Sequence, residues 1–166
     1  MTLVSLALRI TYRCVLYRVG IIGAGNSFMG DDGVGTAVLK LLMNEPIPED
    51  VGLIDIGTSG LNLLHSLAKI SDTAVIVDAV DFGGAVAETR CFSLEDIKSI
   101  KQSPGLSSHE CDLLKMIELS KKLGECPKTI MIFAIQPASM APSMKLSPLL
   151  KMKLPEFAKD VIEIIK

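Results

Sequence analysis

Short apolar runs alternate with amphipathic segments along most of this chain. Four runs rich in Val, Ile and other apolar side chains predict β-strands: residues 19–22, 51–56, 73–77 and 129–135. Four segments repeat apolar residues with helical spacing and predict α-helices: residues 36–43, 61–70, 109–123 and 155–165. Residues 85–92 alternate in polarity, which predicts an edge strand that runs antiparallel to its neighbour. The polar segment 99–108 and the proline-containing segment 138–148 are predicted loops.

This alternation of strands and helices predicts an α/β fold. The expected architecture has three layers, with a mostly parallel, twisted sheet of about five strands and helices on both faces. Residues 18–166 are predicted to form a single α/β domain, and residues 1–17 are either an N-terminal extension or an additional edge strand. Arg9 interrupts the apolar stretch there, which is too short to span a bilayer and lacks the order of a signal peptide.

The composition indicates one globular domain and argues against nucleic-acid binding. The chain has 166 residues, 49% of them hydrophobic, which is typical of one globular domain with a substantial core. A formal charge of −2, the lack of Lys/Arg clusters and the absence of Trp argue against nucleic acid as a partner. The four cysteines show no CxxC spacing, so we interpret them as mostly buried structural thiols of a reduced, intracellular protein.

The glycine-rich segment 23–35, GAGNSFMGDDGVG, lies between the first predicted strand and the first predicted helix. Such junctions are common sites for active-site loops in α/β proteins. Asp31 and Asp32 distinguish this loop from a phosphate-binding loop, because carboxylates repel phosphate. The acidic pair indicates either a bound cation or acid–base chemistry. Asp31 is expected to point away from Asp32 and to cap the helix that follows.

Polar residues follow several of the predicted strands. Because the carboxyl ends of parallel strands lie along one edge of a sheet, Asp32, Asp55, Asp78 and Gln136 are predicted to share that edge. Asp32 and Asp78 are the first candidates for function, since their carboxylates could converge on a metal ion. The alternative is that both aspartates cap the next helix or turn.

The two histidines differ in their surroundings. His109 stands at the start of a predicted helix, beside a loop, and would complete a mixed oxygen and nitrogen donor set suited to nickel, zinc, iron or manganese. The alternative for His109 is a solvated surface side chain. His65 lies among leucines in the second predicted helix and is expected to be partly buried, with a local hydrogen bond.

Two other folds with loops of this kind fit less well. A dinucleotide-binding loop needs a third glycine where this chain has Phe28. A phospho-acceptor receiver domain needs a Lys after its last strand, where this chain has Gln136 and Pro137. Neither a GxSxG elbow nor a Walker sequence is present, so no organic cofactor or serine nucleophile is expected, and catalysis would depend on metal and carboxylates.

Five motifs together resemble the hydrogenase maturation protease family. They are the glycine loop with its acidic pair, Asp55-x-Gly57-Thr58, Val77-Asp78-Ala79, His109 and Gln136-Pro137, and they occur in the order that the family shows. The resemblance covers about residues 18–166. The segment 135–139 further resembles members that serve the deazaflavin-reducing hydrogenases of methanogens.

The resemblance implies a cytoplasmic endopeptidase that removes a C-terminal extension from the nickel-loaded precursor of a nickel–iron hydrogenase large subunit. It also implies that Asp32, Asp78 and His109 bind metal, although many members have Glu at the position of Asp32. The metal would be nickel carried by the precursor and recognised by these residues, or an ion that polarises the scissile carbonyl or activates water. The alternative is a non-catalytic α/β protein of the same fold that binds a metal or a partner.

Overall fold

The protein is described by a computed structural model that covers residues 16–96 and 108–166, with the backbone alone for residues 108–112. The strands are β1 (Tyr17–Ala24), β2 (Val51–Gly57), β3 (Ile70–Ala79), β4 (Thr89–Ser93) and β5 (Thr129–Ile135). The helices are α1 (Val34–Leu42), α2 (Gly60–Ala68), α3 (Ser108–Leu123) and α4 (Pro148–Ile164), and a 3₁₀ turn spans Gly30–Gly33. The predictions for the N-terminal segment and for loop 99–108 fall almost wholly outside the described residues.

The five strands form one sheet in the order β2-β1-β3-β5-β4. β1, β2, β3 and β5 are parallel, and β4 pairs antiparallel with β5 at one edge. The mostly parallel sheet with an antiparallel edge strand is therefore confirmed. β3 lies at the centre, which explains its continuous apolar run at residues 74–77, because both faces of the strand are covered there.

Two hydrophobic clusters cover the two opposite faces of the sheet. The first packs α1 and α4 against alternate strand residues such as Val75 and Val77. The second packs α2 and α3 against the opposite alternation, which includes Ala74 and Ile76. This arrangement confirms the predicted three layers, and it fixes which face of the sheet each residue of β3 occupies.

Three local predictions were wrong. The last helix begins at Pro148 instead of Pro155, because proline is tolerated in a first turn, where its missing N–H would have no partner within the helix. His65 is exposed, since α2 buries Leu63 and Leu67 against the sheet and turns the histidine outward. Cys91 is exposed as well, because β4 is an edge strand. Within the described residues, no helix combines the length and apolar character needed to cross a membrane.

Candidate active site

The glycine loop begins where β1 ends and lies over the carboxyl end of the sheet. Gly25 has φ +115, and its N–H donates to the Gly57 carbonyl at 2.9 Å, which links the ends of β1 and β2. A Cβ at this position would lie 1.7 Å from the Asp32 carbonyl oxygen. Glycine is therefore required there both by the dihedral angle and by the close approach of the 3₁₀ turn.

Asp32 is half-buried and held in one orientation. Its Oδ2 accepts the Asn26 backbone N–H at 2.8 Å, and its own N–H donates to the Met29 carbonyl at 3.2 Å. No donor from the described residues is bonded to Oδ1, so one carboxylate oxygen is positioned by the loop while the other remains available to a ligand. The 3₁₀ turn that carries Asp32 contacts β3.

Asp78 is the penultimate residue of β3 and only 9% exposed. It pairs with Ala134 of β5, and strand alternation places it on the same face as Ala74 and Ile76, the face covered by α2 and α3. Since Gly23 pairs with Val77, β1 and β3 end side by side. Asp32 and Asp78 therefore belong to the same edge of the sheet, as predicted.

The backbone of His109 lies in the first turn of α3. The last turn of α3 is joined to the start of β5 by residues 124–128, so the helix runs opposite to the strand and its first turn lies toward the carboxyl end of the sheet. Met116, two turns later, lies against Gly60, the first residue of α2. The topology thus places this turn at the same end of the sheet and in the same helical layer as Asp78.

Asp55 and Gln136 do not belong to this cluster of candidates. Asp55 lies within β2, and its Oδ1 accepts the Thr36 hydroxyl at 3.2 Å and the Gly57 N–H at 2.9 Å. Because Thr36 belongs to α1, Asp55 faces the helical layer opposite to that of Asp78. Asp55 therefore lies at the predicted end of the sheet, since it pairs with Gly23, but its carboxylate is bonded to Thr36 and Gly57 on the other face from Asp78.

Gln136 is buried and organises the loop after β3. Its Oε1 accepts the N–H groups of Phe82 and Gly84 at 3.0 and 3.1 Å, and its Nε2 donates to Asp81 Oδ1 at 2.9 Å. The bond from Gln136 lowers the pKa of Asp81, and the Gly83 N–H acts in the same direction. Gln136 is thus a scaffold residue for the segment that follows Asp78.

Asp31 does not cap α1, contrary to the prediction. Its carboxylate is fully buried and accepts N–H groups from Ala138, Ser139 and Ser147, all of them in the segment that connects β5 to α4. Nothing in the sequence near Asp31 indicates these partners, which lie more than 100 positions away. The two adjacent aspartates therefore have different roles, one structural and one open to a ligand.

Apolar side chains border the loop on the solvent side. Phe28 is 66% exposed, Met140 36% and Met144 80%, and we call these three residues the apolar rim. Met29 and Ser143 form an isolated bridge, so the two segments that carry the apolar rim are joined. Because its side chain is mostly exposed, Met144 is not part of the hydrophobic core. An exposed group of apolar side chains favours contact with a partner protein.

A metal site formed by Asp32, Asp78 and His109 stays a prediction. Among the side chains that the structure describes, which do not include that of His109, no three His, Cys, Asp or Glu residues are grouped closely enough to hold an ion. The donor set is nevertheless chemically suitable, because two carboxylates and one imidazole match the preferences of nickel and its neighbours in the transition series.

A sequence profile described as hydrogenase maturation protease matches residues 36–164 of this chain. The match begins directly after the glycine loop. The hydrogenase expression/formation protein HupD of Bradyrhizobium diazoefficiens is 27% identical over 74% of this chain and 64% of its own length. The coenzyme F420 hydrogenase subunit delta of Methanothermobacter thermautotrophicus is 27% identical over 87% of this chain and 92% of its own length.

The fold has a similar counterpart among solved structures. The hydrogenase maturating endopeptidase HybD of Escherichia coli superposes with a TM-score of 0.79 and 24% identity, over 89% of this chain and 91% of that one. At this level of identity, the likeness establishes the fold. The chain spans just under two thirds of the length of the HupD relative.

Proposed function

This chain belongs to the hydrogenase maturation protease family, and we propose that it is an endopeptidase that cleaves a C-terminal extension from the precursor of a nickel–iron hydrogenase large subunit. The observation that carries the proposal is the placement of Asp32 and Asp78 at one edge of the sheet, with the His109 turn of α3 in the same layer as Asp78. The proposed reaction is hydrolysis, in which one water molecule is added across one peptide bond in the cytoplasm.

Nickel enters the proposal as part of the substrate. The precursor would present its bound ion to the carboxylates of Asp32 and Asp78 and the imidazole of His109, a donor set that suits nickel. Binding would then test whether the precursor has been loaded. Since Asp32 Oδ2 is already bonded to the Asn26 N–H, Oδ1 would be the oxygen that faces the ion.

A recognition role explains why so few protein ligands suffice. An ion that is already held by the precursor needs only a few additional donors to anchor it, whereas an ion resident in the free enzyme would need a more complete set from this chain. The proposal therefore treats the metal as the feature that positions the precursor and brings the scissile bond to the edge of the sheet. It predicts little firmly bound metal in the purified protein.

The apolar rim supports docking of a protein substrate. Phe28 and Met144 are both mostly exposed, and each lies on a segment that borders Asp32. Flexible methionine side chains suit a contact that must adapt to a large, folded precursor. We assign this surface to the part of the precursor that surrounds the cleaved extension.

The test is an intact-mass measurement on a nickel-loaded large-subunit precursor incubated with and without this protein. The expected result is loss of one discrete C-terminal peptide, which does not occur when nickel is withheld during precursor synthesis. Asp32→Asn, Asp78→Asn and His109→Ala should each prevent the loss without unfolding the protein. Asp50→Asn, which changes a surface ion pair with Arg18, serves as the matched control and should cleave normally.

Two results would contradict the proposal. An unchanged precursor mass, with nickel loading verified by elemental analysis, would favour the alternative of a non-catalytic binding protein. Equal cleavage of loaded and unloaded precursor would retain the peptidase but remove nickel from its recognition.

A further inference from the structure

The carboxylate of Asp31 is fully buried and surrounded by backbone donors. Oδ2 accepts the N–H groups of Ala138 and Ser139 at 2.8 and 3.2 Å, and Oδ1 accepts the N–H of Ser147 at 2.6 Å. These three bonds satisfy the charge of a side chain that would otherwise be costly to bury. They reach both ends of the segment 138–147.

Backbone bonds reinforce the same connection. The Gly30 N–H donates to the Ser143 carbonyl at 2.8 Å, and the Asp31 N–H donates to the Ser139 carbonyl at 3.0 Å. In the opposite direction, the Ser143 N–H donates to the Phe28 carbonyl at 2.9 Å. The glycine loop and the segment 138–147 are therefore bonded to each other along their length.

We propose that Asp31 is a positioning residue that couples this segment, which carries Met140 and Met144, to the placement of Asp32. Asp31 and Asp32 are consecutive residues of one 3₁₀ turn, so a shift of the first must displace the second. The Asn26 N–H that bonds to Asp32 Oδ2 reports on that displacement. The inference rests on the proposed function only for the role that it gives to Asp32.

The number of donors explains why a carboxylate is needed here. An asparagine has nearly the same shape but only one oxygen, and its NH₂ group cannot accept a hydrogen bond. In Asp31→Asn, either Ser147 or the pair Ala138 and Ser139 would face a donor. The substitution therefore weakens the connection while it preserves the packing around it.

The first arm of the test is residue-resolved amide exchange in the free protein. Asp31→Asn should raise the exchange rate about tenfold or more at Asn26 and at either Ser139 or Ser147, whichever faces the new NH₂ group, while Ile76 in the core of β3 keeps its rate. Asp50→Asn, with the same loss of charge at an exposed site, should change none of these rates. If Asn26 keeps its slow exchange while Ser139 or Ser147 exchanges faster, the coupling to Asp32 is wrong.

A second pair of variants breaks the connection from the other side. Ser147→Pro removes the N–H that Asp31 accepts and places a ring carbon near Oδ1, although the φ of −56 at this position suits proline. Ser147→Ala retains the N–H and removes only a buried hydroxyl that has no hydrogen-bond partner among the residues that the structure describes. The amide of Asn26 should exchange faster in Ser147→Pro and should keep its wild-type exchange rate in Ser147→Ala. Equal exchange rates at Asn26 in the two variants would overturn the proposal.

The second arm measures precursor cleavage at a temperature where every variant is fully folded. Asp31→Asn and Ser147→Pro should both raise KM and lower kcat, because docking and Asp32 are disturbed together, whereas Ser147→Ala should match the wild type. Normal kinetics in Asp31→Asn would contradict the proposal. If the wild-type protein cleaves no loaded precursor, the proposed function fails, while amide exchange at Asn26 still decides the coupling.

Discussion

Gly35 lies so close to Val77 that a Cβ added to the glycine would be 2.3 Å from the Val77 carbonyl oxygen. The same Cβ would lie 2.4 Å from the carbonyl oxygen of Ala24. The first turn of α1 thus rests directly on the ends of β1 and β3. This contact holds the preceding 3₁₀ turn, with Asp32, over the residue that comes immediately before Asp78.

Gly35→Ala should therefore damage both stability and the site. Because the clash is with backbone atoms, α1 must move away from the sheet, and we expect a loss of about 1–3 kcal/mol in the free energy of unfolding. Precursor cleavage per folded molecule should fall with it. Urea denaturation and cleavage rates measure the two effects.

The control is Gly124→Ala, where φ is +70 but no atom of the described part of the chain lies within 4 Å of the added Cβ. This variant should cost about 1–2 kcal/mol through backbone strain and keep normal cleavage per folded molecule. If Gly35→Ala also kept normal cleavage, the contact with Val77 would not position the site.

The two aspartates that the sequence placed on the same edge should respond differently to the same change. Asp32→Asn should lower the cleavage rate about a hundredfold or more, since an amide is a poor partner for a metal ion. Asp55→Asn should cleave normally, because Asp55 faces α1 and its amide oxygen can still accept from Thr36 and Gly57. A comparable loss in Asp55→Asn would place that residue in the site.

The apolar rim should affect substrate affinity more than turnover. Phe28→Ala and Met144→Ala remove exposed side chains, so we expect unchanged unfolding free energies and a KM that rises several-fold, with little change in kcat. Met43→Ala is the matched control, since Met43 is 59% exposed but follows the last turn of α1, away from the rim. An equal rise in KM for all three variants would exclude a specific docking surface.

Gln136→Ala should change how stability depends on pH. The hydrogen bond from Gln136 is the main cause that lowers the pKa of Asp81 below 3.8, so its stabilising effect is complete above pH 3.8 and is lost as the pH falls through the lowered value. Gln136→Ala lacks the hydrogen bond to Asp81 and also removes the side-chain oxygen that accepts the N–H groups of Phe82 and Gly84. It should be less stable than the wild type by roughly 1–3 kcal/mol at neutral pH.

The difference between wild type and Gln136→Ala should narrow as the pH falls below 3.8, because Asp81 then becomes protonated in both proteins. Urea denaturation of both proteins at a series of pH values measures this difference in the free energy of unfolding. A difference that stays constant down to pH values well below 3.8 would show that Asp81 does not contribute to the effect.

The sequence alone was sufficient to predict the layers of the fold and the edge that holds Asp32 and Asp78. Both follow from local pattern, since residues 74–77 of β3 form a continuous apolar run and the polar residue that follows, Asp78, marks the end of the strand. The face on which a polar residue lies is harder to predict. Asp55 lies on the same face of β2 as Val51 and Leu53, the face packed by α1 and α4, and the strand pattern alone does not indicate which helices cover which face.

Residues whose partners are distant in the sequence were also missed. Asp31 and Ser147 are 116 positions apart, and Gln136 and Phe82 are 54 apart. Their side chains satisfy backbone groups that become neighbours only after the sheet has formed. Local patterns identify the residue type and the end of the strand, but they cannot distinguish a buried acceptor from a free ligand.

The start of α4 was predicted too late because Pro155 was interpreted as a first-turn residue, whereas the helix begins at Pro148 and continues through Pro155. Pro155 has no N–H to donate to the carbonyl of Lys151, whereas Pro148 occupies a first turn in which no such bond is made. Pro155→Ala should therefore raise the free energy of unfolding by about 1–2 kcal/mol. Pro148→Ala should lower it by about 0.4–1 kcal/mol, because the unfolded chain gains freedom without a new bond in the helix. Urea denaturation of the two variants would give shifts of opposite sign, and shifts of the same sign would mean that α4 does not continue regularly through Pro155.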